Sequence, residues 1–298
     1  MRPAPVALFV FNRPTHTART LDALAANELA LETDLFVFSD ASEDARDAES
    51  VRATRDLAAN ASGFNSVTLI AREHHCGLAA SITEGVSQLA GEHGKVIVIE
   101  DDIETSPHFL RYMNDALTRY ADDENVFSIS GYRYPIGEGL PGTFFLRSTS
   151  SWGWATWKRA WDHYEPDGSR LLETLRQQRL LHRFNYGGFP YQTVMLKRQI
   201  AGRNDSWAIR WYASALLNRG LTLYPCSSLV RNIGFDDTGF HSPTSNIFAV
   251  ELADRAIDVS RIDVEENREA VRRMRAFWWR FALQGCVRSL KERLRLPR

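Results

Sequence analysis

The first 130 residues alternate short β-branched or aromatic runs with longer stretches of helical periodicity, which restricts the chain to βα units on a largely parallel sheet. Strands are expected at Val6 to Phe11, Leu35 to Ser39, Val67 to Ile70, Lys95 to Glu100 and Val126 to Ser130, with helices between them. Pro14 suits a helix start near Thr15, with Leu21 and Leu24 on its apolar face. Pro107 opens another helix, with Phe109, Leu110 and Met113 inward. At 298 residues and 44% hydrophobic content, the chain can bury a sizeable core without staples. Its cysteines, Cys76, Cys226 and Cys286, are odd in number and far apart, which argues against a disulfide framework or a thiolate zinc site and fits a reducing cytoplasm.

The Pro/Gly-rich stretch from Tyr132 to Gly142 separates this half from a Trp-rich one. The expected division is a donor-binding half at 1–131, an acceptor and catalytic half of the same domain at 132–250, and a basic helical tail at 251–298. Helices are expected from Arg170 to Phe184, around Tyr191 to Ile200, and after Asp205. Within SSWGWATWKRAW, Trp152 and Trp154 are candidates to stack on sugar faces, whereas Trp157 and Trp161, four apart, read as core positions of a helix.

From Arg268 onward, nine Arg and one Lys stand against two Glu, a local charge of +8 that leaves 1–267 at -9. With Phe277, Trp278, Trp279 and Phe281 among them, these residues suit an anionic membrane surface. Packing on the chain's own domain, or on a second subunit, fits the same composition. Nucleic-acid binding is disfavoured by the acidic remainder. No apolar run approaches the roughly 20 residues of a membrane span, so the expected location is the cytoplasm, with peripheral contact at the inner face of the membrane.

The run KVIVIEDDIETSPHFL places Glu100, Asp101 and Asp102 directly after an apolar strand, at the edge where open α/β sheets bind ligands. A solvated acidic turn capping the next helix would look the same. A nucleoside diphosphate sugar, however, needs its leaving diphosphate neutralised, and Mn²⁺ or Mg²⁺ bridging phosphate oxygens to one or two carboxylates does this. On that reading Asp102 is the metal ligand, Asp101 meets the ribose or a metal-bound water, and Glu100 positions the strand end.

The stretch VIVIEDDIETSPHFLRYMNDAL resembles the Glu-Asp-Asp segment of animal N-acetylglucosaminyltransferase I and related bacterial family-2-like sugar transferases. The resemblance extends over roughly residues 5 to 245 and is weakest from Arg170 to Ala201. It implies an α/β fold of the GT-A type, a mostly parallel sheet flanked by helices, here followed by a C-terminal helical extension. It also implies a nucleotide-sugar donor, with UDP favoured.

In the donor half, Asn12 and Arg13 end the first strand, and the resemblance gives the arginine to the diphosphate or uracil. Asp40, at the end of the second strand, would accept a hydrogen bond from the base, although a turn-forming Asp looks identical. Arg72 and His75 could touch the donor, but His75-Cys76-Gly77 stands where relatives carry Asn-x-Gly. In the second half, Asp205 aligns with the catalytic base that deprotonates the acceptor hydroxyl, and as a helix N-cap it would look the same. His241 is a candidate for metal or diphosphate when its loop closes. The expected activity is an inverting transfer to a glycan or lipid-linked acceptor in surface polysaccharide synthesis. A nucleotidyltransferase would show a glycine-rich loop after the first strand, and NRPTHTA has no glycine. A non-catalytic sugar-binding protein on a degenerate transferase fold is the other alternative.

Overall fold

A computed structural model of the protein describes residues 2–235 and 246–295, with side chains as far as residue 284. His241 lies outside the described residues. The first half runs β1 (Val6–Val10), α1 (Pro14–Ala25), β2 (Asp34–Ser39), α2 (Ala48–Ala59), β3 (Ser66–Ala71), α3 (Leu78–His93), β4 (Lys95–Glu100), β5 (Ile103–Thr105), α4 (Phe109–Arg119) and β6 (Val126–Ser130). There follow β7 (Thr143–Leu146), β8 (Trp154–Trp157), α5 (Lys158–Trp161), α6 (Gly168–Gln177), α7 (Leu181–Phe184), α8 (Tyr191–Ile200), α9 (Trp207–Leu217), β9 (Leu221–Pro225), β10 (Val230–Asn232) and α10 (Arg268–Arg295).

Eight strands form one sheet in the order β3-β2-β1-β4-β8-β6-β9-β7, and β10 pairs with β5 in a small second sheet. The β1–β2, β1–β4, β2–β3 and β6–β9 pairs are parallel, and β7 and β8 run against their neighbours. The α/β class expected from the sequence is therefore observed, with helices on both faces of a mostly co-directional sheet and a helical C-terminal extension.

Burial on both faces explains why β1 and β4 read as unbroken apolar runs. Val6, Leu8 and Val10 pack with Leu21, Leu24, Phe109 and Met113 on one face. Ala7 and Phe9 turn to the other, against Ile82, Val86, Leu89 and Trp211. Gly85 lets α3 approach the sheet closely, since a Cβ there would stand 2.8 Å from the Phe9 ring.

Two expectations in the second half are corrected. Trp157 ends strand β8 rather than lying on a helix, because Trp154–Trp157 pairs antiparallel with both β4 and β6. The helical stretch from Arg170 to Phe184 is split into α6 and α7, with Arg179 between them at φ 57. A left-handed residue cannot continue a right-handed helix.

The tail packs on its own domain. On α10, Ala270, Met274, Phe277, Trp278 and Ala282 are buried, in a cluster with Ile136, Phe144, Leu146 and Tyr224. No helix among the described residues is long and apolar enough to cross a membrane.

Candidate active site

β2 and β3 are wound to one side of β1 and β4 lies on the other, so the winding reverses between β1 and β4. Because β1, β2 and β4 are parallel, their carboxyl ends open at one edge, and an open α/β sheet leaves a crevice at such a reversal. A cavity of about 680 Å³ lies there, lined at this edge by Asn12, Arg13, Asp40, Glu100, Asp101 and Asp102.

The Arg13 guanidinium donates to Asp102 Oδ2 at 3.1 Å and stands 3.8 Å from Asp101. Burial first, and then the charges of Asp102 and Asp101, push the Glu100 carboxyl well above its usual 4.5, with Arg13 opposing. Burial and the Asp102 charge likewise push Asp101 up to about 7, against the pull of Arg13 and of the Phe11 amide. Three acids crowded at a strand end in this way oppose one another's ionisation, and a further cation beside Arg13 would favour their charged forms.

Among the described residues no three His, Cys, Asp or Glu side chains converge on a point that could hold a metal ion. The oxygen donors present still fit a hard divalent cation that takes one or two carboxylates and completes its shell with diphosphate oxygens and water. Gly234 abuts this corner, since a Cβ there would stand 2.3 Å from Asp102 Oδ2 and 2.9 Å from Arg13. The Ile233 amide also donates to the Asp102 carbonyl at 2.8 Å, fixing the end of β10 over the acids.

Asp40 is buried and acts as the clasp of the β3–α3 turn. Its carboxylate accepts from the amides of Ala41 at 2.9 Å, Cys76 at 3.0 Å and Gly77 at 2.8 Å. His75 Nδ1 lies 3.0 Å from Asp40 Oδ2 and 3.0 Å from the Ala41 carbonyl, and since both are acceptors this nitrogen carries the proton. Gly77 is at φ 80, a conformation that favours glycine and lets the chain enter α3.

Asn12 lines the cavity and donates to Asp47 at 2.6 Å. Arg72 does not line it, because its guanidinium pairs with Glu84 on α3 at 2.6 Å. Cys76 packs against Ser81 and Asp40, and burial pushes its thiol up, away from the reactive thiolate.

Asp205 lines the same cavity as the acids. The N-cap of α9 is Ser206, whose hydroxyl accepts from the Ile209 amide at 3.3 Å, so Asp205 is not held by a capping role. Its side chain is 64% exposed, lines the cavity, and meets Arg210 at 3.4 Å. Its Oδ2 lies 3.8 Å from the position a Cβ would take on Gly77, which puts the carboxylate opposite the start of α3.

Trp152 lines the cavity beside Tyr132 and Phe235. Trp154, expected to share that role, is instead 0% exposed in the core, stacked on Trp207 at 5.3 Å. Gly153 between them is at φ 55, so the pair does not lie on one continuous extended strand and the two rings part.

The sequence reading missed the other end of the cavity, lined by Tyr134, Tyr186, Tyr191, Gln192, Met195 and Trp278. Tyr186 sits at φ 53, a backbone conformation that costs a bulky residue about 1–2 kcal/mol. The signal available in the sequence was the loop NYGGFPY, whose paired glycines and flanking tyrosines mark a tight turn with aromatic rings.

No protein-family model matches the chain, and no curated protein matches it. Among solved structures, it is similar to TarS of S. aureus at 13% identity and a TM-score of 0.36, over 54% of this chain and 30% of that one. The TarS 1-349 structure gives 13% identity and a TM-score of 0.34, over 59% and 49%. The mannosyltransferase PcManGT from Pyrobaculum calidifontis, solved in complex with GDP-Man and Mn2+, gives 12% and 0.37, over 73% and 70%. The chain thus spans less than half the length of either TarS structure. These likenesses assign it no activity.

Proposed function

We propose that the protein is a metal-dependent, inverting glycosyltransferase of the GT-A type. It would move a sugar from a nucleotide diphosphate sugar, with UDP favoured, to a hydroxyl of a glycan or lipid-linked acceptor in surface polysaccharide synthesis. The observation that supports this reading is that Asp205 and the acids that follow β4 line a single cavity.

A divalent cation at Asp102 would neutralise the departing diphosphate, and Arg13 beside it would meet the same phosphate oxygens. Asp101 would meet the ribose or a metal-bound water, and Glu100 would position the strand end. Asp40 holds the β3–α3 turn against which the base would lie. Asp205, exposed in the same cavity, would take the proton of the acceptor hydroxyl as that oxygen attacks the anomeric carbon. His241 keeps its proposed role toward the metal or the diphosphate.

Membrane contact through the tail draws on the outer face of α10. There Trp279 is 46% exposed and Leu283 60% exposed, among exposed Arg272, Arg275 and Arg280. Such contact would bring the cleft to a lipid-linked acceptor at the inner face of the membrane.

Donor hydrolysis with Mn²⁺ across UDP-, GDP- and dTDP-sugars tests the reading, for the wild type and Asp205→Asn. Turnover with one donor, falling about 10²- to 10⁴-fold in the variant, is expected. No turnover and no metal-dependent nucleotide binding in the wild type would sink it.

A further inference from the structure

The cavity is chemically divided. Its charged lining residues stand on the loops after β1, β2 and β4, on the β3–α3 turn, or just before α9. The opposite end, where α8 and α10 meet, carries none among the described residues. Its walls are aromatic: the Tyr186 and Trp278 rings stack at 5.5 Å and 11°, and Tyr191 stacks on Trp278 at 5.3 Å and 28°.

Two polar groups in these walls have no hydrogen-bond partner among the described residues. They are the Oε1 of Gln192, a residue 4% exposed, and the indole Nε1 of Trp278. Buried polar atoms are nearly always paired, so an acceptor and a donor left open beside one cavity call for a ligand that supplies both.

We propose that this chamber binds a neutral pyranose ring. Flat aromatic surfaces suit the C–H faces of a sugar, and sugar hydroxyls both donate and accept, as Gln192 and Trp278 require. A polyprenyl chain would leave both groups unpaired, and an anionic headgroup would find no cation among the described lining residues at this end. The chamber is also tied to the reacting centre, because Asn204 donates to the Met195 carbonyl at 3.3 Å and so fastens the residue before Asp205 to α8. On the transferase reading, on which this role rests, the ring is the terminal sugar of the acceptor, held with a hydroxyl toward Asp205. The C-terminal helix is then part of the binding site rather than an appendage to it.

The test uses the full chain labelled with ¹⁵N in its indoles, with the Trp278 signal identified by its loss in Trp278→Phe. Cellobiose, maltose, lactose and chitobiose are titrated in turn, and farnesyl phosphate separately. At least one disaccharide should move the Trp278 resonance, farnesyl phosphate should not, and Gln192→Leu should weaken that disaccharide about tenfold. A resonance that no disaccharide moves, one moved by farnesyl phosphate alone, or an unchanged affinity in Gln192→Leu would overturn the proposal. Titrating UDP with Mn²⁺ into the same sample keeps the two readings apart. Disaccharide binding without nucleotide binding upholds the sugar site and removes its acceptor role, whereas nucleotide binding without disaccharide binding removes the sugar site alone.

Discussion

Arg13 and Asp102 meet at 3.1 Å, joining the turn after β1 to the turn after β4 at the point where the sheet reverses its winding. The guanidinium competes with any metal for that carboxylate and attracts any diphosphate. Arg13→Gln should therefore bind Mn²⁺ alone more tightly, by roughly tenfold, and UDP with Mn²⁺ more weakly. Calorimetric titrations with and without nucleotide measure both, and a parallel change in the two affinities would contradict the assignment.

Gly234 supplies a second handle on the same corner. The atoms that a new Cβ would strike, Asp102 Oδ2 at 2.3 Å and Arg13 Nη2 at 2.9 Å, are the far ends of two paired side chains that would have to shift together. Gly234→Ala should leave stability within about 1 kcal/mol while weakening Mn²⁺-dependent nucleotide binding. A melting curve and a nucleotide titration on one preparation separate these effects.

Asp40 offers a different outcome because it is part of the framework. In Asp40→Asn an amide group would face a backbone N–H of the β3–α3 turn, leaving at least one buried donor unsatisfied. The expected cost is about 1–3 kcal/mol in urea unfolding. A variant as stable as the wild type would show that the clasp contributes little.

These cases mark what was legible in the sequence. β1 and β4 were readable because burial on both faces writes an uninterrupted apolar run, and Pro14 announced the start of α1. The acids after β4 could be placed from the same logic. Trp154 could not, since β8 runs against its neighbours and shows its aromatic residues in a pattern that also suits a helix. Nor could the union of Gln192 with Trp278 be read, because it depends on α10 returning to the far sheet edge from a segment distant in sequence. Asp40 was found for its position, but its several amide partners exist only once β3 and α3 are in register.

The remote end of the parallel strands carries a pH-sensitive contact. Burial alone would raise the Asp34 carboxyl, but hydrogen bonds from Ser66 and Asn65 and the nearby Arg2 outweigh it and hold the group below 3.8. A depressed native value adds stability that is present above the unfolded value and is lost as pH falls through the native one. Asp34→Asn should therefore destabilise at pH 7, and the difference from wild type should shrink below pH 3.8. Urea midpoints across that range report it, and a difference that grows toward acid would reverse the sign.

On the outer face of α10, the paired change Trp279→Glu with Leu283→Glu tests the membrane proposal. Leu283 is 60% exposed and Trp279 46% exposed with its indole against Gly188, so a melting curve accompanies the measurement. Sedimentation with phosphatidylserine vesicles should be lost in the variant, and a wild type that ignores such vesicles would end that proposal.

The packing of α10 beside β7 also bears on how the chain is made. β7 is the outermost strand of the sheet, and its covering helix is encoded far downstream. During synthesis this edge waits, with unpaired backbone groups, until Glu266 and Asn267, which bridge Phe145 at the start of α10, emerge from the ribosome. A nascent or shortened chain would offer it to other strands, so the last helix also guards against aggregation.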